Sequence, residues 1–596
     1  MVGFTAALCA LALPHIAVAA APPHIVFILA DDYGFNDISY HARKNGNDTN
    51  VIETPHMDTL AASGVKLENY YVQAVCSPTR AAIMTGRYAT HTGIHVPLVD
   101  SAPGVLPNDE VLLPALLKKA GYATHMVGKV GALPASPPRA PHACRAPSAA
   151  GCWCARLLTP PPPLPPCLLA SSQWHLGFRT WGHTPIERGF DSVFGFFAGS
   201  TDYYKIQSLC WAGPFPDGCF EKENGGEPVT ACDLHRNYEP ICNNTKYSTQ
   251  LFTEEAAALI AAHAPRKDEQ PFFLYLAHQA VHIGNYPTAR HPEYWVDQAP
   301  ARYIEPYAWV EDAGRRNLSA MVTAMDESVG NVTDALRAAG MWENTLLVFS
   351  TDNGGPTSAR WTPVGSANKT AVNQASNYPY KKGKATNWEG GVKGTGFVAG
   401  GAVSSAMGAA QLPAGYENTA MMHVTDWVPT LCEVAGCAGG GVPVGTKPLD
   451  GVSAWGAIAR NETSQRSEIL HDTIETNYSP AIRVGDWKLL GPSSSKAERD
   501  SARARGEEIV YTLYNLAVDP TEDHDLAAAN PAKVAELKAR IAFYNSTAIP
   551  PCDRLTPDPN SNPQHFGNVW TPWSNDTRPG CPQTGAALER SEIEDN

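Results

Sequence analysis

Three runs of the chain are apolar without alternation: Ile25–Ala30 (Ile-Val-Phe-Ile-Leu-Ala), Pro271–Ala277 and Leu346–Ser350. A strand with one wet face alternates; a short run that does not is a strand buried on both faces, as in parallel sheets covered by helices. Polar residues closely follow each run: Asp31-Asp32 after the first, His278 and His282 after the second, Thr351-Asp352-Asn353 after the third. Helical patterns lie between them, at Glu254–His263 and Leu318–Ala339. Strands alternating with helices predict an α/β fold, a large mostly parallel sheet flanked by helices. Such sheets bind ligands beyond the carboxyl ends of their strands, where these polar clusters fall.

After about residue 463 the texture changes. Ala481–Leu490 and Glu508–Leu516 read as shorter strands of an antiparallel sheet. Pro531–Tyr544 reads as an amphipathic helix, with Asn530 as N-cap and Pro531 at its first position. The tail from Ile549, rich in Pro, Asn and Asp, should be mostly irregular. The expectation is a catalytic domain at 20–463 and a smaller C-terminal α+β domain at 464–596.

Residues 130–173 break the pattern. They hold eleven prolines, four cysteines and no Asp, Glu or Lys. A disordered proline-rich loop is one reading. A retained intron is the reading preferred here: Val130 requires a GT-initial codon, Gln173 is compatible with CAG, and the codons of Leu157–Ser172 are pyrimidine-rich. Excision joins Gly128-Lys129 to Trp174-His175 and creates Lys-x-His, whose two side chains would face one pocket from a single strand.

Composition narrows the class. With 43% hydrophobic and 17% charged residues the chain is globular, and its 596 residues suggest more than one domain. A net charge of −14 argues against nucleic-acid binding, so an anionic substrate would need a local basic cluster. Residues 1–19 read as a secretory signal peptide, and no other apolar run is long enough to span a membrane. Eight Asn-x-Ser/Thr sequons, from Asn47 to Asn575, fit a glycosylated protein of the secretory pathway, lysosomal or secreted. Eight cysteines (Cys210, Cys219, Cys232, Cys242, Cys432, Cys437, Cys552 and Cys581) remain once Cys9, Cys76 and the four in the insert are set aside. They suit disulfides in an oxidising compartment.

The chemistry gathers in a few residues. Asp31, Asp32, Asp352 and Asn353 offer carboxylates and one amide oxygen, a donor set for a hard cation, Ca²⁺ before Mg²⁺. Lys129, Lys384 and Arg80 supply cations for an anionic group. His282 or His278 could donate a proton to a leaving group, and spacing alone does not choose between them.

Cys76-Ser-Pro78-Thr-Arg80, followed by Thr85-Gly86-Arg87, resembles the signature of the sulfatase family. The likeness extends over Phe349–Gly355, Asn387–Val392, His423–Thr430 and Gly445–Gly451, in the arylsulfatase B (N-acetylgalactosamine-4-sulfatase), I and J branch. The resemblance implies an alkaline-phosphatase-like α/β sandwich and conversion of Cys76 to formylglycine by a formylglycine-generating enzyme. It implies one Ca²⁺ held by Asp31, Asp32, Asp352, Asn353 and the modified residue 76. Lys129, His175, His282 and Lys384 would contact the sulfate, with Arg80 supporting the aldehyde; on this ground His282 is chosen over His278. The implied reaction is hydrolysis of a sulfate ester; the alternatives are phosphodiester or phosphonate-ester hydrolysis on the same scaffold, or sulfated-glycan binding without catalysis. The implied substrate is a sulfated amino sugar or other glycan.

Overall fold

The computed structural model describes residues 21–46, 52–129, 175–210, 220, 224, 229–284, 298–357, 374–437, 447–473, 479–492, 501, 504–506, 509–552 and 557–575. The expected leader at 1–19, the segment 130–173 and the chain beyond 575 lie outside them.

The three apolar runs form adjacent strands, His24–Ala30, Phe272–Ala277 and Thr345–Thr351. His24–Ala30 is central, with Thr345–Thr351 on one side and Phe272–Ala277 on the other, all parallel. Ala123–Lys129 and then Ser192–Phe196 extend the parallel set, within a sheet of ten strands. The lack of alternation has the expected cause. Ile25, Phe27 and Leu29 point into one core, with Ala81–Met84, Leu116 and Trp427. Val26 and Ile28 point into the opposite core, with Ile260, Leu318 and Met325. Both faces are dry, so both sets of positions must be apolar.

Two helices cover the second face. Ser248–His263 begins six residues before the pattern suggests, the Ser248 N–H being taken by the Tyr203 carbonyl at 2.7 Å. Ala313–Ala338 begins five residues early because Asp312 accepts the Arg315 N–H at 2.8 Å and caps it.

Residues 468–515 build a second sheet of four antiparallel strands, Glu468–Asp472, Ala481–Val484, Trp487–Leu490 and Thr512–Asn515. The stretch expected as one strand at 481–490 is thus a hairpin, turning at Gly485-Asp486. Helix Pro531–Ser546 buries Leu537 and Ile541 against Ile482, Leu489 and Leu513. The chain then runs back along the large sheet. Ile549 N–H bonds to the Thr90 carbonyl, and Trp570, fully buried, packs with Phe178 and Phe197.

Cys232 and Cys242 form a disulfide, and Cys210 and Cys552 are also disulfide-bonded. Cys432 and Cys437 depart from expectation: both are buried thiols at the end of helix Trp427–Ala435. Among the described residues no helix is long and apolar enough to cross a membrane.

Candidate active site

Strand register brings the polar clusters together. Ala30 pairs with Thr351, Leu29 with Ala277, and Ala277 with Gly128. Four strands therefore end on one line, and the next residues of each (Asp31-Asp32, Asp352-Asn353, His278, and Lys129 at its own strand's last position) share one edge. Gly128 is required there. Its φ is +114°, and a Cβ would lie 2.0 Å from the Ala277 carbonyl oxygen. Gly354 serves the loop opposite: a Cβ there would meet the Gly390 carbonyl at 1.9 Å, so only glycine lets the loop carrying Lys384 lie this close to Asp352-Asn353.

Cys76 opens helix Cys76–Thr85, every residue of which is buried. One turn on, Arg80 donates from Nη2 to Asp31 Oδ2 at 3.1 Å and to Asp352 Oδ2 at 2.8 Å. Lys129 Nζ lies 2.6 Å from Asp31 Oδ2, and Lys384 Nζ 2.6 Å from Asp32 Oδ1. Asn353 donates from its amide nitrogen to Asp32 Oδ1 at 2.8 Å. Three carboxylates and three fixed cations thus meet in a buried cluster. Burial alone would raise the Asp31 carboxyl, but Lys129, His282 and Arg80 outweigh it and hold it far below the usual range. Asp352 moves the other way, raised by burial and by Asp31.

Two acceptor oxygens in this cluster, Asp31 Oδ1 and Asn353 Oδ1, are buried with no hydrogen-bond partner among the described residues. Orphaned buried oxygens are costly, and a carboxylate-amide set of this kind suits a hard divalent cation. Asp31, Asp32 and His282 also offer ligand atoms within 4.8 Å of one another. The residues present fit the expected metal.

The Cys76 thiol is pushed up to about 11, by burial first, despite Lys129 and Lys384 nearby. It stays protonated at neutral pH and is a poor thiolate nucleophile.

The two candidate histidines separate. His278 Nε2 meets the Ser328 hydroxyl at 3.0 Å on helix Ala313–Ala338, on the far side of the strand end. His282 Nε2 lies 3.6 Å from Asp32 Oδ2, while its Nδ1–H donates to the Ile283 carbonyl at 2.8 Å. Burial, then Lys384, lowers its pKa to about 4. His175 is buried in the same cluster, but not as a continuation of Lys129's strand. That strand ends at Lys129, and His175 sits in a bend with φ +54°. Its carbonyl accepts the Ser77 hydroxyl at 2.6 Å, so the residue after Cys76 sets the position of His175.

Ser77 was passed over as a spacer within the motif. Asp100 was also missed. It is nearly buried, accepts from Gly199 N–H at 3.3 Å and Ser208 Oγ at 3.1 Å, and is linked through Gly199 to His175, whose Nε2 would be 2.8 Å from a Cβ on Gly199. Nothing local in the sequence marks Asp100; only the fold brings it to the site.

These features define a buried cluster of carboxylates and cations at the carboxyl edge of an α/β sheet, and the family comparison gives the class of enzyme that carries it. The sulfatase family model matches residues 23–140 and 168–437, and the chain belongs to that family. It is 34% identical to arylsulfatase J of Mus musculus over 92% of this chain and 80% of that protein. It is 28% identical to N-acetylgalactosamine-6-sulfatase of Mus musculus, over 79% and 72% respectively. Among solved structures, Ps i-CgsB in complex with k-i-k-neocarrahexaose shares the fold, with TM-score 0.65, 24% identity, and coverage of 92% of this chain and 98% of that one. The alkaline-phosphatase-like architecture is therefore the observed fold, and the enzyme is a sulfatase.

Proposed function

We propose that this sulfatase uses a Cys76-derived formylglycine and one Ca²⁺ to hydrolyse sulfate esters of a carbohydrate. The observation that carries the reading is the position of Cys76, a protonated and buried thiol at a helix start, beside the Asp31, Asp32, Asp352, Asn353, Arg80, Lys129 and Lys384 cluster. Hydrated formylglycine supplies two hydroxyls on one carbon, one to attack sulfur and one from which the C=O re-forms as sulfate leaves. Asp31, Asp32, Asp352 and Asn353 would hold the cation, which supplies Lewis acidity toward a sulfuryl oxygen.

The chain's own groups do the rest. Arg80 ties Asp31 to Asp352 and leaves Nη1 buried and unpartnered among the described residues, a donor available to residue 76. Lys129 and Lys384 neutralise the sulfate. With Nδ1–H committed to Ile283, His282 presents Nε2 toward the site. An anionic sulfate beside it favours the imidazolium, which can then protonate the departing oxygen from Nε2.

Support for a carbohydrate substrate comes from the relatives: one is named for an N-acetylgalactosamine sulfate, and one fold neighbour is bound to D-glucosamine-2-N,6-O-disulfate. The expected leader and the sequons support a secretory route, with maturation by a formylglycine-generating enzyme and a lysosomal or extracellular destination. The retained-intron reading of 130–173 draws support from the family match, which breaks off between 140 and 168. The two-domain division at about 463 is proposed on the separate core of the second sheet.

Mass spectrometry of the tryptic peptide Leu67–Arg80 from active enzyme tests the reading. Formylglycine at residue 76 is expected, with turnover of aryl sulfate exceeding that of an aryl phosphodiester. An unmodified thiol in fully active enzyme defeats the mechanism, and a phosphodiester preference defeats the substrate class.

A further inference from the structure

A pocket of about 440 Å³ opens beside the catalytic edge, lined in part by Trp309, Glu311, Asp312, Arg315, Gln374 and Ser376. Trp309 is 58% exposed, unusual for the largest side chain. Its place in the fold follows from topology. Helix Ala313–Ala338 runs from the carboxyl edge after Phe272–Ala277 back to the start of Thr345–Thr351, so its N-terminus, just after Trp309, lies at the edge where the active site sits.

Direct bonds tie the pocket to that site. Arg315 donates to Asp37 Oδ1 at 2.6 Å, and Asp37 also accepts the Ser376 N–H at 3.1 Å. Asn36 N–H bonds to the Ser376 carbonyl at 2.8 Å. Asn377 then accepts from Gly355 N–H at 3.0 Å and donates to its carbonyl at 2.7 Å. The pocket floor is thus stitched to the segments that directly follow Asp31-Asp32 and Asp352-Asn353.

We infer that this pocket is a distal subsite for an uncharged pyranose unit of an oligosaccharide whose sulfated unit occupies the catalytic centre. The inference rests on the proposed carbohydrate sulfatase reading and deepens it. The exposed indole offers a flat apolar face for the C–H face of a sugar ring, and carboxylates and an amide around it match ring hydroxyls. Charge sets the class of unit. Asp37 neutralises Arg315, and Arg316, donating to the Val310 carbonyl of the pocket wall at 2.9 Å, offsets part of the charge of Glu311 and Asp312. The pocket therefore has no excess of cations to hold a sulfated or uronate ring, and it suits a neutral or N-acetylated one.

The test compares wild type, Trp309→Ala and Trp309→Phe on 4-methylumbelliferyl sulfate and on chondroitin-sulfate and carrageenan oligosaccharides from disaccharide to hexasaccharide. In wild type, kcat/KM should rise with length on at least one oligosaccharide series. Trp309→Ala should lose that gain through a rise in KM of about tenfold, equivalent to about 1.4 kcal/mol of binding. Its aryl sulfate kinetics and melting temperature should match wild type, because the side chain is exposed and the pocket lining includes none of the catalytic cluster. Trp309→Phe should keep most of the gain. Unchanged oligosaccharide kinetics in Trp309→Ala, an equal loss on the aryl sulfate, or no length dependence in wild type overturns the subsite. Absence of aryl sulfate turnover in wild type is a different result, and defeats the sulfatase reading itself.

Discussion

Replacing Lys488 with Met should cost more stability than any single surface ion pair could. Lys488, on the second sheet, is fully buried, with Nζ 2.8 Å from Glu389 Oε1 and 2.8 Å from Glu522 Oε1. Glu522 Oε2 accepts the Glu389 N–H at 2.7 Å, and the Tyr71 hydroxyl donates to Glu389 Oε2 at 2.7 Å. The triad clamps the second sheet onto the loop that carries Lys384, a loop also held by Lys381 donating to the Glu522 carbonyl at 2.7 Å. Met matches Lys in length but leaves two buried carboxylates facing each other. Removing one member of such a pair costs about 3–5 kcal/mol. Lys393, 3.9 Å from Glu389 Oε2, offsets part of this. The sign with pH follows from the shifts. Burial raises Glu522, whereas at Glu389 burial is outweighed by Lys488, which holds the carboxyl low. Without Lys488 both carboxyls bind protons more tightly folded than unfolded, so stability falls as pH rises. Urea unfolding followed by tryptophan fluorescence should show a deficit near the top of that range at about pH 7.5 and a smaller one at about pH 5. Adding Glu389→Gln and Glu522→Gln should restore most of it. A neutral-pH deficit below about 1 kcal/mol, as for exposed pairs, or a deficit that grows on acidification, would refute the argument.

Chelation should lower the melting temperature of the mature enzyme and Ca²⁺ should restore it. At a hundredfold excess over Kd the bound ion is worth about 2.7 kcal/mol, and Asp31→Asn should abolish the response in differential scanning calorimetry. Asp100, pushed up to about 7 by burial, has a folded pKa above its unfolded value, so its contribution to stability declines as pH rises from about 4 to about 7. Asp100→Asn should therefore gain up to about 4 kcal/mol over wild type above pH ~7 and almost nothing near pH ~4; a difference independent of pH would count against this. Deleting 130–173 should give a protein at least as stable and more active on aryl sulfates. Lower activity, or mature transcripts that all retain the segment, would defeat the intron reading.

The central strands and the residues that end them were legible because their causes are local. A strand dry on both faces has to be apolar throughout, and a chain leaving such a strand turns polar where water or an ion waits. The Cys76–Arg80 motif was equally plain, since its spacing belongs to one helical turn. Contacts between distant segments decided the rest. His278 and His282 are equivalent as sequence. Only the packing of helix Ala313–Ala338 gives His278 a partner in Ser328 and leaves His282 facing Asp32. The placement of His175 depends on a Ser77 hydroxyl 98 positions away in the chain, and Asp100 reaches the site through Gly199. The Glu389–Lys488–Glu522 clamp joins three segments that no periodicity links. Local pattern reports how a segment meets solvent. Which polar groups meet each other inside is set by register and helix packing, because a buried charge is tolerated only where the fold delivers its partner.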